Sequence, residues 1–279
     1  MMAIPKRSTT PTSSTGLHWQ TTDDGSRTLW DERLDETYHS GCGALTESLV
    51  VYLLNSGVHE RLRTGQGSAV LEYGLGTATA FLLTAADAMI YQTSLCYRAL
   101  EISLLPADIL GGLNLNDSSL NPLYRQDFGE LLDVAQRLLS DLVEWRTKLP
   151  GIVERGVYRC SFRENIELEI VVGNAVEYMP EKPGIFDALY FDPFSPTSCP
   201  ELWSLEVFRK AFDGLREGGT LTSYCVKSAV RRDLGSVGFE VLGVRGPIGG
   251  KREVLIATKP SATGQMANPF ESPGIMFRG

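Results

Sequence analysis

The sequence predicts a Rossmann-like α/β fold built on a mainly parallel sheet of seven strands with a helical insertion. Several short apolar runs are almost continuous, which is typical of strands buried on both faces of a parallel sheet. Segments with apolar residues at helical spacing lie between these runs, and such alternation favours right-handed strand–helix–strand units. A glycine-rich turn joins the first of the runs to the helix that follows it.

Seven apolar runs are predicted to form the strands of this sheet, and the sixth of them is less apolar than the others. They are Ala69–Tyr73, Leu95–Ile102, Leu168–Val172, Ala188–Phe191, Thr220–Cys225, Phe239–Val244 and Val254–Thr258. The helices between them are predicted at Thr77–Ile90, Pro200–Leu215 and Ser228–Ser236.

The connection between Ile102 and Leu168 is too long for a single crossover helix. Within it, Phe128–Lys148 carries apolar side chains at the spacing of an amphipathic helix. We therefore expect a helical insertion at about residues 104–165, packed beside the sheet rather than folded as an independent domain.

The ordered body is predicted to be one domain, residues 17–259, between two tails. A chain of 279 residues is long enough to bury a full hydrophobic core. Residues 1–16 are rich in Ser, Thr and Pro, which predicts a disordered tail, and residues 260–279 are expected to form a loose C-terminal tail.

Cysteine and histidine usage predicts a cytoplasmic protein without a metal site. The five cysteines are scattered without a C-x-x-C pair, as expected for reduced thiols, and the three histidines match no zinc-ligand spacing. No apolar run reaches the about 20 residues of a membrane-spanning helix, and the N-terminus lacks the apolar core of a signal peptide. We expect no membrane partner.

Charge is distributed unevenly along the chain. The formal net charge of −8 disfavours broad, non-specific binding of nucleic acid. However, Lys227–Lys259 contains seven basic and three acidic residues, a net charge of +4, which leaves −12 for the rest. A local contact with nucleic acid through this basic segment is therefore compatible with the composition.

The glycine-rich turn Glu72-Tyr-Gly74-Leu-Gly76-Thr77 is the sharpest local motif. Glycines let the backbone turn tightly and approach a ligand, and the following helix presents free N–H groups. Position 79 is Thr, so the G-x-G-x-x-G pattern of dinucleotide sites is incomplete. An acidic strand end before G-x-G resembles the first motif of S-adenosylmethionine methyltransferases; a plain strand–helix turn is the alternative.

Two acidic residues follow other predicted strands. Glu101 ends the second strand, where an acid binds ribose hydroxyls in doubly wound folds, and a surface glutamate is the alternative. Asp192 ends a buried strand and begins the Pro-containing loop Asp192-Pro-Phe-Ser-Pro. Ligands of open α/β sheets bind at the carboxyl ends of the strands, and a carboxylate there can accept hydrogen bonds from an amine and orient its lone pair. The alternative for Asp192 is a loop cap.

Basic residues cluster near the end of the predicted domain. Lys251 and Arg252 follow two glycines before the last strand, and Arg231 and Arg232 lie in the preceding helix. Clustered Lys and Arg beside glycines can contact phosphates, although a solvated charged turn would have the same composition.

Together these stretches resemble the methyltransferase domain of MnmC-type tRNA-modifying enzymes, over roughly residues 17–259. The matching motifs occur in the expected order: Tyr38-His39-Ser40, Gly43-Ala44, Glu47-Ser48, Glu72-Tyr-Gly74-Leu-Gly76-Thr77, Glu101, Asp192-Pro-Phe-Ser-Pro, Pro200-Glu-Leu-Trp203, Gly218-Gly219-Thr220 and Gly250-Lys251-Arg252-Glu253. The resemblance implies S-adenosyl-L-methionine as cofactor and a wobble uridine of tRNA, with a free aminomethyl group, as acceptor.

The resemblance also implies roles for individual residues. Cofactor-binding residues would be Tyr38, Glu47, Glu72, Gly74, Gly76, Thr77, Glu101 and Asn174, and Lys251, Arg252, Arg231 and Arg232 would face tRNA phosphates. Asp192 would be the catalytic residue that orients the amine. Asn174 stands where the family usually has Asp, and Pro193 and Cys199 also depart from the pattern.

Bifunctional members of this family carry an FAD-dependent oxidase domain that makes the amine. Because only about twenty residues follow the last predicted strand, we expect a stand-alone methyltransferase and another enzyme that supplies the aminomethyl uridine. Three other interpretations stay open. They are a polyamine aminopropyltransferase, a methyltransferase of another small-molecule or protein amine, and a non-enzymatic cofactor- or RNA-binding protein.

Overall fold

The computed structural model of the chain describes residues 7–117, 120, 122–163, 165–247, 250 and 252–261. Lys251 and most of the predicted C-terminal tail lie outside the described residues, as do residues 1–6.

The described residues form two sheets and a set of helices. The strands are β1 Thr9–Pro11, β2 Leu17–Thr21, β3 Arg27–Asp31, β4 Glu36–Thr37, β5 Ser68–Tyr73, β6 Leu95–Glu101, β7 Gly156–Arg163, β8 Ile166–Val172, β9 Phe186–Phe191, β10 Leu215–Ser223, β11 Glu240–Arg245 and β12 Glu253–Thr258. The α-helices are α1 Ala44–Glu47, α2 Val58–Arg63, α3 Thr79–Ile90, α4 Ala107–Gly111, α5 Pro122–Thr147, α6 Leu205–Gly214 and α7 Ser228–Val237. A π-helix, Ser48–Leu54, continues α1, and 3-10 turns occupy Ala175–Glu177 and Pro200–Trp203.

The main sheet has the strand order β11-β12-β10-β9-β5-β6-β8-β7. The five strands from β10 to β8 pair in parallel, while β12 is antiparallel to both its neighbours and β7 is antiparallel to β8. This arrangement confirms the predicted Rossmann-like, mainly parallel α/β fold. All seven predicted strands are present.

The predicted number of strands is wrong by one, because β7 forms an eighth strand in the second half of the predicted helical insertion. Only α4 and α5 make up the helical part. In β7, Cys160 and Phe162 are buried and the residues between and beside them are exposed. Such an alternating edge strand carries no continuous apolar run, so a search for buried strands passes over it.

A small antiparallel sheet of β1 to β4 precedes the Rossmann-like part. Its first strand corrects the predicted disordered tail of residues 1–16, because Thr9–Pro11 pairs with β2 and places Thr10 opposite Trp19. The Thr12 hydroxyl donates to the Leu17 carbonyl at 2.9 Å and helps to close this hairpin. We call the β1–β4 unit the N-terminal sheet.

Helices cover both faces of the main sheet. On one face the π-helix, α3 and α5 pack on alternate strand residues such as Val70 and Tyr190, and on the other face α6 and α7 pack on Leu71 and Phe191. Successive side chains of a strand point to opposite faces of the sheet, so a strand that is buried on both sides needs apolar residues at every position. No helix among the described residues is long and apolar enough to cross a membrane.

Candidate functional site

A cavity of about 790 Å³ opens at the carboxyl ends of β5, β6, β8 and β9. Its floor comes from the residues that follow these strands: Gly74, Gly76, Glu101, Asn174 and Asp192. Its opposite wall comes from the N-terminal sheet and the segment after it, through residues that include Leu17, Arg33, Glu36, Tyr38 and Glu47. Ligands of open α/β sheets bind at this edge, so the cavity is the candidate site.

The glycine turn brings the backbone against the base of the cavity. Gly74 and Gly76 have φ of +88° and +50°, a region that disfavours residues with a side chain. A Cβ atom on Gly74 would lie 2.9 Å from the Asp192 carbonyl oxygen, and one on Gly76 would lie 3.1 Å from the Tyr38 ring. Both glycines are therefore required for the close packing of the turn against Asp192 and Tyr38, and both border the cavity.

Glu101 joins the turn to the next strand. Its carboxylate accepts the Gly76 N–H and the Ser103 N–H, each at 3.0 Å, and it borders the cavity. Burial raises the pKa of Glu101, and these backbone hydrogen bonds oppose that shift. A carboxylate held at the end of β6 fits the role of binding paired hydroxyls.

Asn174 follows β8 in the floor of the cavity. Its side-chain oxygen accepts the Val176 N–H at 3.0 Å and thereby caps the 3-10 turn, and the residue is exposed. Asparagine preserves the capping oxygen that an aspartate would provide.

Tyr38 and Glu47 reach the cavity from the N-terminal side of the chain. The Tyr38 ring packs edge-on against Phe194 with 5.1 Å between ring centroids. Glu47 is buried, and its carboxylate accepts the Ser40 N–H at 2.9 Å.

Two predicted cofactor residues do not line the cavity. Glu72 is 1% exposed, beneath the glycine turn, where burial and the nearby charge of Asp192 raise its pKa. Thr77 is also buried, and its hydroxyl lies 2.8 Å from that of Thr79. The structure thus places both residues behind the turn, in positions that support it.

Asp192 stands at the end of β9 and borders the cavity. Its backbone N–H donates to the Tyr73 carbonyl at 3.1 Å, which continues the strand register. The Tyr52 hydroxyl donates a hydrogen bond to Asp192 Oδ1. Burial, with the charge of Asp192, raises the pKa of Tyr52, so this hydroxyl stays protonated and remains a donor. The geometry agrees with a fixed carboxylate.

Sequence reasoning missed Tyr52 and two other residues around Asp192. Tyr52 lies in an apolar segment that is typical of core, and its approach depends on the π-helix, a rare form often found at functional sites. Tyr224 follows β10 and donates to the Pro193 carbonyl at 2.9 Å, so its position after a strand was a usable signal. Glu36 lies in the N-terminal sheet, and nothing in the sequence around it indicates a place in the cavity.

The basic residues predicted to contact phosphates are not equally available. Arg231 forms an ion pair with Glu253 at 2.5 Å, and its Nε donates to the Val226 carbonyl. Arg232 has Asp233 at 3.3 Å, with three quarters of its side chain exposed, and Arg252 is exposed. Lys251 lies outside the described residues. Among the described residues, no group of His, Cys, Asp or Glu could hold a metal ion.

His39 supplies a pH-dependent contribution to stability. Burial lowers the pKa of His39 to about 4, below the roughly 6.5 of an unfolded chain. As pH falls from about 6.5 towards 4, the His39 side chain therefore binds a proton in the unfolded state but not in the folded state. The free energy of unfolding drops by about 3 kcal/mol over this range. We expect His39→Gln to flatten the pH dependence of urea unfolding in this window.

His59 provides the control for this measurement. Its hydrogen bond with Asp87 raises the pKa of His59, so that pair contributes stability at acidic pH that is lost as pH rises. His59→Gln should therefore steepen the loss of stability at acidic pH. An unchanged pH slope in His39→Gln would show that the pKa of His39 is the same in the folded and unfolded states.

Comparison with known proteins agrees with this geometry. Residues 141–260 match the family described as S-adenosyl-L-methionine-dependent methyltransferase. The tRNA 5-methylaminomethyl-2-thiouridine biosynthesis bifunctional protein MnmC of Ralstonia nicotianae is 30% identical over 248 residues, which cover 88% of this chain and 35% of that protein. Its counterpart in Cupriavidus metallidurans is 30% identical over 233 residues, 82% of this chain and 32% of that protein. The chain thus spans about one third of these relatives.

Solved structures agree with the fold. MNMC2 from Aquifex aeolicus is 23% identical, with a TM-score of 0.68 over 91% of this chain and 73% of that one. Spermidine synthase from Thermotoga maritima is 14% identical, with a TM-score of 0.50 over 95% of this chain and 75% of that one. With a family match, two MnmC relatives and a Rossmann-like fold in agreement, the chain is an S-adenosyl-L-methionine-dependent methyltransferase related to MnmC.

Proposed function

We propose that the enzyme methylates the amine of an aminomethyl group on the wobble uridine of tRNA. The observation that carries this proposal is the position of Asp192. Its carboxylate is held by Tyr52, beside the glycine turn and in the same cavity as Glu101. A fixed carboxylate is suited to an amine acceptor, and the names of the MnmC relatives give the RNA context.

S-Adenosyl-L-methionine supplies an electrophilic methyl group when bound. Gly74, Gly76 and Glu101 are the residues that would hold it, because all three border the cavity and Glu101 can accept hydrogen bonds from hydroxyls. The cofactor therefore fits the residues present through the turn at Gly74 and Gly76 and the acceptor oxygens of Glu101.

Asp192 would act by orientation and charge stabilisation. The acceptor amine would have to be neutral, so that its lone pair is available to the methyl group that the bound cofactor would supply. Asp192 accepts a hydrogen bond from the amine, aims the lone pair, and stabilises the positive charge that develops on nitrogen. An ionised carboxylate also favours the unreactive ammonium form, which argues against a strong-base role.

The acceptor can be identified by nucleoside mass spectrometry. Purified enzyme and cofactor would be incubated with tRNA that carries unmethylated aminomethyl uridine, and the digested nucleosides compared with a reaction lacking cofactor. We expect conversion of the aminomethyl nucleoside to its methylaminomethyl form. Absence of conversion, with methyl transfer to a small-molecule extract or spermidine formation from putrescine, would contradict the proposal. Formation of the amine itself would be the task of another enzyme acting earlier.

Binding of tRNA by the basic segment predicts a specific salt dependence. Replacing Arg232 and Arg252 by Ala should weaken tRNA binding and reduce the slope of log affinity against log salt by about one for each phosphate that the variant no longer neutralises. Filter binding over a series of salt concentrations measures the slope.

Arg63→Ala is a control for the removal of a positive charge away from the cavity. Arg63 lies in α2, which leads into the amino end of β5, at the edge of the sheet opposite the cavity. This control should keep the wild-type slope. The same slope in the Arg232 and Arg252 double variant would exclude tRNA binding through these two residues.

A further inference from the structure

Glu36 connects the N-terminal sheet to the loop that follows Asp192. Its carboxylate accepts the Ser195 N–H at 3.0 Å, the Ser195 hydroxyl, and the Ser198 hydroxyl at 2.6 Å. These partners are separated from Glu36 by 159 and 162 residues of sequence. Burial raises the pKa of Glu36, but the hydrogen bonds from Ser195 and Ser198 outweigh it and leave the pKa lowered. Glu36 is therefore an ionised acceptor with three donors.

The loop 193–199 has anchors on its other side as well. The Trp203 indole N–H donates to the Phe194 carbonyl at 2.8 Å, and the Tyr224 hydroxyl donates to the Pro193 carbonyl at 2.9 Å. One anchor comes from the 3-10 turn Pro200–Trp203 and the other from the residue that follows β10, and together they hold the start of the loop. Glu36 holds its middle, at Ser195 and Ser198, from across the cavity.

The hydrogen bonds of Glu36 join two parts of the fold that do not share a sheet. In the described part of the chain, the N-terminal sheet and the main sheet have no strand pairing with each other. Glu36 lies in β4, and two residues later Tyr38 packs on Phe194 of the same loop. Side chains at 36 and 38 therefore set the distance between the cavity wall and the loop.

Lys227 adds a third element to this arrangement. Its ammonium group donates to the Thr197 hydroxyl at 3.3 Å, and its charge helps to lower the pKa of Glu36. Lys227 immediately precedes α7, at the start of the basic segment. The loop after Asp192 thus lies between a carboxylate from the N-terminal sheet and an ammonium group from the basic segment.

We propose that Glu36 is a positioning residue that fixes the 193–199 loop, and with it the acceptor side of the cavity, against the N-terminal sheet. This inference rests on the proposed function, because the loop borders the space where the amine must lie. Glu36 does not act on the reacting atoms. It acts through its hydrogen bonds to Ser195 and Ser198, which fix the position of their loop relative to Asp192.

The test combines kinetics with a measurement that does not depend on activity. Glu36→Ala should lower kcat/KM for the acceptor RNA about tenfold while the Kd of S-adenosyl-L-methionine, measured by calorimetry, changes less than about twofold. Hydrogen exchange of the peptide that covers residues 193–199 should accelerate, because the Ser195 N–H loses its acceptor.

Two further variants separate positioning from a general structural effect. Glu32→Ala removes an exposed acid of the same hairpin and should match the wild type in kinetics and exchange. Adding Ser195→Ala and Ser198→Ala to Glu36→Ala should cost little more than Glu36→Ala alone, because all three residues act as one unit.

Each outcome bears on a different proposal. Wild-type exchange of residues 193–199 in Glu36→Ala would overturn the positioning role, as would an equal loss of cofactor affinity. If the wild-type enzyme fails to methylate tRNA but the loop still exchanges faster in Glu36→Ala, the acceptor is wrong and the role of Glu36 in holding the loop stands.

Discussion

Replacing Asp192 by Asn should lower methyl transfer by about a hundredfold or more, because the variant loses the charge that stabilises the developing ammonium group. The amide keeps one oxygen that can accept the Tyr52 hydroxyl, which then leaves its NH2 group, a donor, facing the amine. Single-turnover measurements with saturating cofactor isolate this step from product release.

Cofactor binding should survive this substitution. The glycine turn and Glu101 keep their backbone hydrogen bonds when Asp192 is changed, so the Kd of S-adenosyl-L-methionine should stay within about twofold of wild type. Asp141→Asn, on an exposed position of α5, is the control for removal of one negative charge. A single-turnover rate near that of the wild type in Asp192→Asn would remove Asp192 from the catalytic role.

Replacing Gly74 by Val should abolish measurable cofactor binding. A branched side chain at φ +88° is strained, and its Cβ would lie 2.9 Å from the Asp192 carbonyl oxygen, where only a backbone shift can relieve the clash. The shift would move the glycine turn and Asp192 together, so we expect Kd to rise at least about a hundredfold and transfer to be abolished. Isothermal calorimetry measures the first effect.

Gly65→Val is a matched control for the backbone strain alone. Gly65 has a similar φ of +80°, but no atom lies within 4 Å of where its Cβ would be. This variant should lose some stability and keep its cofactor affinity. If Gly74→Val binds cofactor as well as Gly65→Val does, the turn does not form the cofactor site.

The central strands and the residues that follow them were readable from sequence for a physical reason. A strand buried on both faces needs an almost continuous apolar run, and the polar residue at its end, such as Glu101 or Asp192, interrupts the run visibly. Parallel strands also bring their carboxyl ends to one edge. Gly74, Glu101 and Asp192, which follow or end such strands, accordingly border one cavity.

The strands of the N-terminal sheet and the side chains that contact Asp192 and its loop could not be predicted from apolar runs. Strands β1 to β4 are two to five residues long, and the first of them lies in a stretch whose Ser, Thr and Pro content resembles that of a flexible tail. Glu36 and Tyr52 reach their partners across 159 and 140 residues, and no local pattern records such a pairing. Burial also keeps Glu72 and Thr77 away from the cavity surface, although both belong to the glycine motif.

Gly74 approaches the Asp192 carbonyl closely, and this contact restricts sequence variation in the floor of the cavity more than in its opposite wall. Where backbone touches backbone, neither segment can be altered without displacing the other, so we expect the glycine turn and the strand end at Asp192 to be inherited together. The wall built by the N-terminal sheet meets the loop through side chains such as Glu36 and Tyr38. We therefore expect relatives that methylate other amines to differ chiefly in this wall, which makes it the first place to randomise when a new acceptor is sought.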